Sequence, residues 1–179
     1  MHEVLGNMPE AWNIAADDLL WASHILRTHT APLPSESGTI YDDDDDEFRV
    51  LPPELLLRGL AIEVYFKAIW TTRGNKLVVN SEYSRIPDAG QHNLLQIAEV
   101  LTLPFTPVQR DLLVRLSEYI DYAGRYPIPK RAEQLSSAAL ASLVGQMGTY
   151  WSIPADDATF DSIMVIISHA LGRRSPTKA

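Results

Sequence analysis

The chain contains no cysteine, so disulfides, thiolate metal sites and a cysteine nucleophile are all excluded. The absence of cysteine fits a reducing compartment. No window of about 18 residues is both apolar and free of charge. The first residues, MHEVLGNMPEAWN, lack the basic region and apolar run of a signal peptide. These absences predict a cytoplasmic protein without a membrane span.

Basic residues are scarce relative to acidic ones, with 15 Lys and Arg against 23 Asp and Glu and a net charge of −8. This balance argues against broad binding to DNA or an anionic membrane, because such binding needs many cations that face phosphates. Phosphate-loop, dinucleotide and serine-hydrolase motifs are also missing. His24, His29 and His169 have no partners at ligand spacing, so neither a metal nor a cofactor is predicted. A local basic pocket remains compatible with this composition.

Helical periodicity extends over most of the 179 residues, 46% of which are apolar, and no strand is predicted. The first predicted helix carries Trp12, Ala16 and Leu19 on its apolar side. The predicted helices span 7–28, 53–74, 94–101, 106–123, 131–147 and 156–171. This pattern predicts a single all-α domain over 1–179, an antiparallel bundle of about six helices.

Two of these helices have distinctive sequences. Thr106, Pro107 and Gln109 form a capping box with proline in the first turn, which is the clearest helix start in the chain. The helix over 53–74 is apolar on nearly every side apart from a few charged residues. We therefore expect it to be the central helix, surrounded by the others.

A segment rich in proline, serine and aspartate, 30–52, interrupts the helical pattern and is interpreted as an insertion, either mobile or a functional lid. Its acidic run, Asp42 to Glu47, has the ligand type of a hard-cation site but lacks the spacing and turning glycine of one. Consecutive carboxylates repel, so we favour a solvated run, with mimicry of phosphate against a basic surface as an alternative. The tail, 173–179, is expected to be flexible.

Three phrases, GLAIEVYFKAI, HNLLQIA and YAGRYPIP, occur in an order that resembles the HEPN superfamily of prokaryotic helical domains. The resemblance covers about Pro9 to Arg131. It implies a helical bundle, often dimeric, of the kind found in toxin and antitoxin systems, in defence proteins and beside nucleotidyltransferase domains.

Some members of that family are metal-independent RNases whose active site is an arginine followed a few residues later by a histidine. The order of helices makes Arg125 the corresponding arginine, but no histidine follows it. Arg85 and His92 have a suitable spacing one connection earlier. This departure from the family pattern counts against catalysis.

Arg85 and His92 also allow two interpretations on chemical grounds. A histidine can exchange protons near neutral pH, and Arg85 or Arg125 could stabilise charge developing on a phosphate, beside the helix N-terminus at Leu94. The simpler interpretation, which we favour, is that His92 or Asn93 caps the helix and Arg85 is a solvated loop residue.

Further candidate ligand-binding residues are charged or aromatic. Glu63 and Lys67 stand four apart on the central helix, as an internal ion pair, which we favour, or as part of a pocket. The segment RYPIPKR, which contains Arg125, Tyr126 and Lys130, is either a rigid recognition loop or a simple helix connection. A nucleotide could be held with its phosphate on Lys67 and Arg125 and its base on Tyr119 or Tyr126.

The sequence thus predicts a non-catalytic, HEPN-like binding or regulatory module, a homodimer in a stress, toxin and antitoxin, or defence setting. The alternatives are a metal-independent RNase that uses His92 with Arg85 or Arg125, and a nucleotide-binding domain without cleavage. The expected partners are a second copy of the chain, another protein, and a nucleotide or RNA.

Overall fold

A computed structural model describes residues 1–28, 45–123 and 155–173, and these residues form six α-helices and one short hairpin. The helices and strands are α1 (His2–Gly6), α2 (Pro9–Thr28), α3 (Asp45–Thr72), β1 (Val78–Val79), β2 (Glu82–Tyr83), α4 (Leu94–Val100), α5 (Pro107–Glu118) and α6 (Asp156–Ala170). The prediction of an all-α domain is confirmed. The predicted alanine-rich helix, 131–147, lies outside the described residues.

Helix α3 is the centre of the fold, as its apolar sequence predicts. It contacts α2, α4, α5 and α6, and its pairing with α2 is the most extensive helix contact among the described residues. Its buried side chains form one continuous core with those of α4, α5 and α6. The α3 members of this core include Ala61, Ile62, Tyr65, Phe66 and Ile69.

Two helix starts differ from the predicted ones. Helix α2 begins at Pro9 rather than at Asn7, because Asn7 ends the separate helix α1 and bonds the backbone of β1 through its side chain. Helix α3 begins at Asp45 rather than at Pro53, so residues 45–52 of the predicted insertion are helical. The remainder of the insertion lies outside the described residues.

The absence of strands is a wrong prediction, since β1 and β2 form an antiparallel pair between α3 and α4. Val78 pairs with Tyr83 and Val79 with Glu82, and the two residues between the strands make the turn. Both turn residues, Asn80 and Ser81, have positive φ (52° and 66°), as in the tight turns that suit the twist of a hairpin. The pairing is too short to give a recognisable alternation in the sequence.

The helices that follow the hairpin begin at well-defined caps. The Asn93 side chain caps α4 by accepting from the backbone N–H of Gln96 (3.0 Å). The predicted capping box of Thr106 and Gln109 starts α5. This helix ends at Glu118 and is followed by a π-helical turn, Tyr119–Ala123, in place of the predicted continuation to 123.

At the C-terminal end, α6 returns to pack against α3 and α5. Arg173, the first residue of the tail expected to be flexible, donates to the Asp17 carboxylate on α2 (3.0 Å). The hydroxyl of Tyr65 also donates to that carboxylate, at 2.5 Å. None of the helices in the described ranges is both long and apolar enough to cross a membrane.

Candidate functional site

A cavity of about 380 Å³ lies between α3, the hairpin and the loop that leads into α4. This part of the molecule brings together two pairs of residues that the sequence suggested separately, Glu63 with Lys67 and Arg85 with His92. The residues that line the cavity are Glu63, Lys67, Tyr83, Arg85, Ile86, Ala89, Gly90, Gln91, His92 and Ile97.

The inner wall of the cavity carries an ion pair from α3. Lys67 and Glu63 are one turn apart, with Lys67 Nζ 2.7 Å from Glu63 Oε1, and the Glu63 side chain is only 8% exposed. Burial alone would raise the pKa of Glu63, but the charge of Lys67 and hydrogen bonds from His92 and Lys67 lower it overall. Burial likewise works against the charge of Lys67, but Glu63, with help from Tyr83, raises its pKa overall. Both side chains are therefore charged at neutral pH.

His92 binds the second oxygen of the same carboxylate. Its Nδ1 lies 2.7 Å from Glu63 Oε2, while its Nε2 lies 3.3 Å from the side-chain amide nitrogen of Gln91. An Nδ1–H can donate to the Glu63 carboxylate, and in the neutral ring with that tautomer Nε2 can accept from the Gln91 amide. The ring is therefore held at both nitrogens.

The backbone of His92 has a φ of 62°, a conformation that residues with a side chain adopt rarely and at a cost. The hydrogen bond to Glu63 and the neighbouring Asn93 cap hold the residue in this conformation. Strained backbone that surrounding contacts maintain is common at binding and catalytic sites. Of the two residues predicted as candidate caps of α4, Asn93 is the cap. His92 lines the cavity instead.

Two aromatic side chains that the sequence did not indicate stand beside Lys67. Its Nζ lies 5.6 Å from the ring centre of Trp12 and 5.7 Å from that of Tyr83. The two rings are 6.4 Å apart and tilted by 46°. Helical periodicity places Trp12 only on the apolar stripe of α2, and Tyr83 belongs to the unpredicted hairpin. Neither residue could therefore be identified as a site residue from the sequence.

The outer wall is positively charged. Arg85 is exposed at the rim, and no carboxylate in the described part of the chain pairs with it. The cavity is lined by two permanent cations, Lys67 and Arg85, against the single carboxylate of Glu63, which Lys67 and His92 already occupy. An excess of positive charge in a chain of net charge −8 makes this cavity suited to an anion.

Tyr119, another predicted site residue, does not line the cavity. Tyr119 is 2% exposed and belongs to the core, so it cannot offer a ring to a ligand in this cavity. The side chain of Tyr119 faces inward because the residue continues the apolar stripe of α5 into the π-helical turn. Arg125, Tyr126 and Lys130 lie outside the described residues.

The described residues contain no group of three or more histidine, aspartate or glutamate side chains that could hold a metal ion. No protein-family model, curated protein or solved structure matches the chain.

Proposed function

We propose that the protein is a HEPN-like binding or regulatory module whose cavity takes a small anionic ligand, a mononucleotide in particular, without cleaving it. The observation that carries this proposal is the convergence of Lys67 and Arg85 on one cavity whose lining contains a single carboxylate, Glu63, which leaves an excess of one positive charge. The resemblance of three sequence phrases to HEPN domains supports the wider proposal of a cytoplasmic homodimer in a stress, toxin and antitoxin, or defence setting.

The geometry suggests how each part of such a ligand would bind. A phosphate would lie between the ammonium of Lys67 and the guanidinium of Arg85. Its oxygens could then accept hydrogen bonds from both cations. A base would pack against Tyr83, over a floor formed by apolar side chains such as Ile86 and Ile97. A volume of about 380 Å³ lies in the range of small-molecule sites, roughly 300–1,000 Å³.

Gln91 supports binding without catalysis. A general base must reach its proton at hydrogen-bond distance. The nitrogen of His92 that does not face Glu63 is Nε2, and the Gln91 side-chain amide lies 3.3 Å from it, where a substrate proton would have to be. His92 is thereby fixed as part of the wall of the site.

A metal-independent RNase is the second candidate, and the contact between His92 and Glu63 favours it. A carboxylate at Nδ1 orients an imidazole, which is the arrangement of many histidine bases. After displacement of Gln91, Nε2 would take the proton of a ribose 2′-hydroxyl as its oxygen attacks phosphorus. The bond from phosphorus to the 5′-oxygen would break, water would protonate that leaving oxygen, and a 2′,3′-cyclic phosphate would remain. Arg85 would face the non-bridging oxygens of that phosphate.

A thermal shift panel tests the first candidate. A ligand that binds only the folded state raises the melting temperature, so mononucleotides should raise it and uncharged nucleosides should raise it less. A panel in which no nucleotide or inorganic phosphate changes the melting temperature would contradict the proposal.

A further inference from the structure

We propose that helix α1 is a strap that holds the hairpin against the cavity, and that Asn7 is the positioning residue through which it sets ligand affinity. The inference rests on the proposed function, because it concerns affinity at the same cavity. The strap is defined as residues 1–7.

The Asn7 side chain binds β1 as a neighbouring strand would. Its Oδ1 accepts from the backbone N–H groups of Leu77 (2.7 Å) and Val78 (3.0 Å). Its Nδ2 donates to the carbonyl of Val78 (2.7 Å) and to that of Glu3 in α1 (3.0 Å). One side chain therefore satisfies backbone groups on the edge of β1 and joins them to α1.

Neither partner of this contact is stable by itself. A hairpin with two residue pairs is marginal in water, and a helix of five residues is far below the length at which helices persist alone. Helix α1 buries none of its side chains, so its attachment depends on polar bonds and close backbone packing. At Gly6 the packing is so close that a Cβ atom would lie 2.2 Å from Val78 Cγ2.

The hairpin transmits this attachment to the cavity. Val78, which Asn7 binds, pairs across the hairpin with Tyr83, which lines the cavity and contacts Lys67. Trp12 makes a second connection, because its indole N–H donates to the Gly6 carbonyl (3.0 Å) and its ring stands beside Tyr83. Release of the strap would therefore allow the hairpin, with Tyr83, to move away from Lys67.

The first test does not depend on any ligand. We would measure by mass spectrometry how fast an amine-selective acylating reagent modifies Lys67. A synthetic lysine-containing peptide in the same reaction is the reference, because Lys76 pairs with Glu3 of the strap (3.9 Å). Asn7→Ala removes the side-chain bonds, and Gly6→Ala forces α1 away from Val78 by a different route. We expect both variants to speed the modification of Lys67 relative to the reference peptide by roughly tenfold, the scale for loss of a buried hydrogen-bonding group.

A matched control separates this effect from general destabilisation. The buried Gln109 side chain bonds Thr106 and Ser162, none of which lines the cavity. Gln109→Ala should therefore lower the melting temperature and leave the rate at Lys67 unchanged. Equal rates at Lys67 in wild type, Asn7→Ala and Gly6→Ala would overturn the proposal that the strap holds the hairpin against the cavity.

The second test uses AMP and inorganic phosphate in titration calorimetry. We expect Asn7→Ala and Gly6→Ala to weaken AMP binding by roughly tenfold, with Gln109→Ala like wild type. If both variants speed the modification of Lys67 but leave AMP affinity unchanged, the proposal that Asn7 sets ligand affinity is overturned. If wild type binds neither probe, the proposed function fails, and the control of affinity by Asn7 fails with it, while the modification rates still decide whether the strap holds the wall.

Discussion

His92 Nδ1 and Glu63 Oε2 lie 2.7 Å apart, although the two residues are separated by 29 positions in the sequence. This contact joins the central helix to the start of α4 and closes one side of the cavity. Since Lys67 occupies the other oxygen of Glu63, one buried carboxylate orients both a histidine and a lysine toward the same space.

Replacement of Glu63 by glutamine should destabilise the fold, because it leaves the half-buried charge of Lys67 without its partner. We expect a loss of about 3 kcal/mol in the free energy of unfolding, measured by urea denaturation. Glu99→Gln is the matched control, since Glu99 pairs with Arg110 at the surface and should contribute less than about 1 kcal/mol. A double variant, Glu63→Gln with Lys67→Met, should recover part of the loss. Equal stabilities of Glu63→Gln and Glu99→Gln would contradict the assignment.

Asp157 on α6 should contribute to stability only above acid pH. Hydrogen bonds from Arg27, opposed by burial and aided by Arg58, lower the pKa of Asp157 from 3.8 to about 2. A carboxyl group with a lowered folded pKa stabilises the fold above its unfolded pKa, and this contribution is lost as pH falls through the folded pKa. The advantage of wild type over Asp157→Asn should therefore be full near pH 6 and shrink between about pH 4 and pH 2.

Thermal melts of both proteins across this pH range provide the measurement. Asp18→Asn, at an exposed site on α2, is the control and should follow wild type. A difference between wild type and Asp157→Asn that is the same at every pH would contradict the account of this ion pair.

The proposal of binding without catalysis predicts that the protein leaves RNA intact. We expect a mixed RNA pool to survive incubation with wild type in chelator as well as it survives His92→Ala and Arg85→Ala. Cleavage by wild type that disappears in His92→Ala, with the helical circular dichroism unchanged, would overturn the proposal of a binding module and support that of an RNase. Gln91→Ala adds a sharper comparison, because it frees His92 Nε2 and should expose any latent activity.

Features that depend on neighbouring residues were predictable from the sequence. Thr106 and Gln109 cap α5 within a single turn, and the spacing of Glu63 and Lys67 already places them side by side on a helix. The central position of α3 also follows from its apolar surface.

Features that depend on packing between distant segments were not predictable in the same way. The meeting of His92 with Glu63 requires the loop before α4 to fold over α3, which no periodicity encodes. The hairpin is shorter than the window over which strand alternation can be recognised, so Tyr83 was missed with it. The predicted first helix included Asn7. In the structure Asn7 bonds β1 through its side chain and separates α1 from α2.

The most direct test of the central claim is titration calorimetry of AMP into wild type, Arg85→Ala and Arg110→Ala. Arg110 is the matched control because it is a surface arginine paired with Glu99 outside the cavity. The account predicts that wild type binds AMP, that Arg85→Ala binds at least about tenfold more weakly through loss of a charge-assisted bond to phosphate, and that Arg110→Ala binds like wild type. No binding by wild type, or equal affinities of wild type and Arg85→Ala, would contradict it.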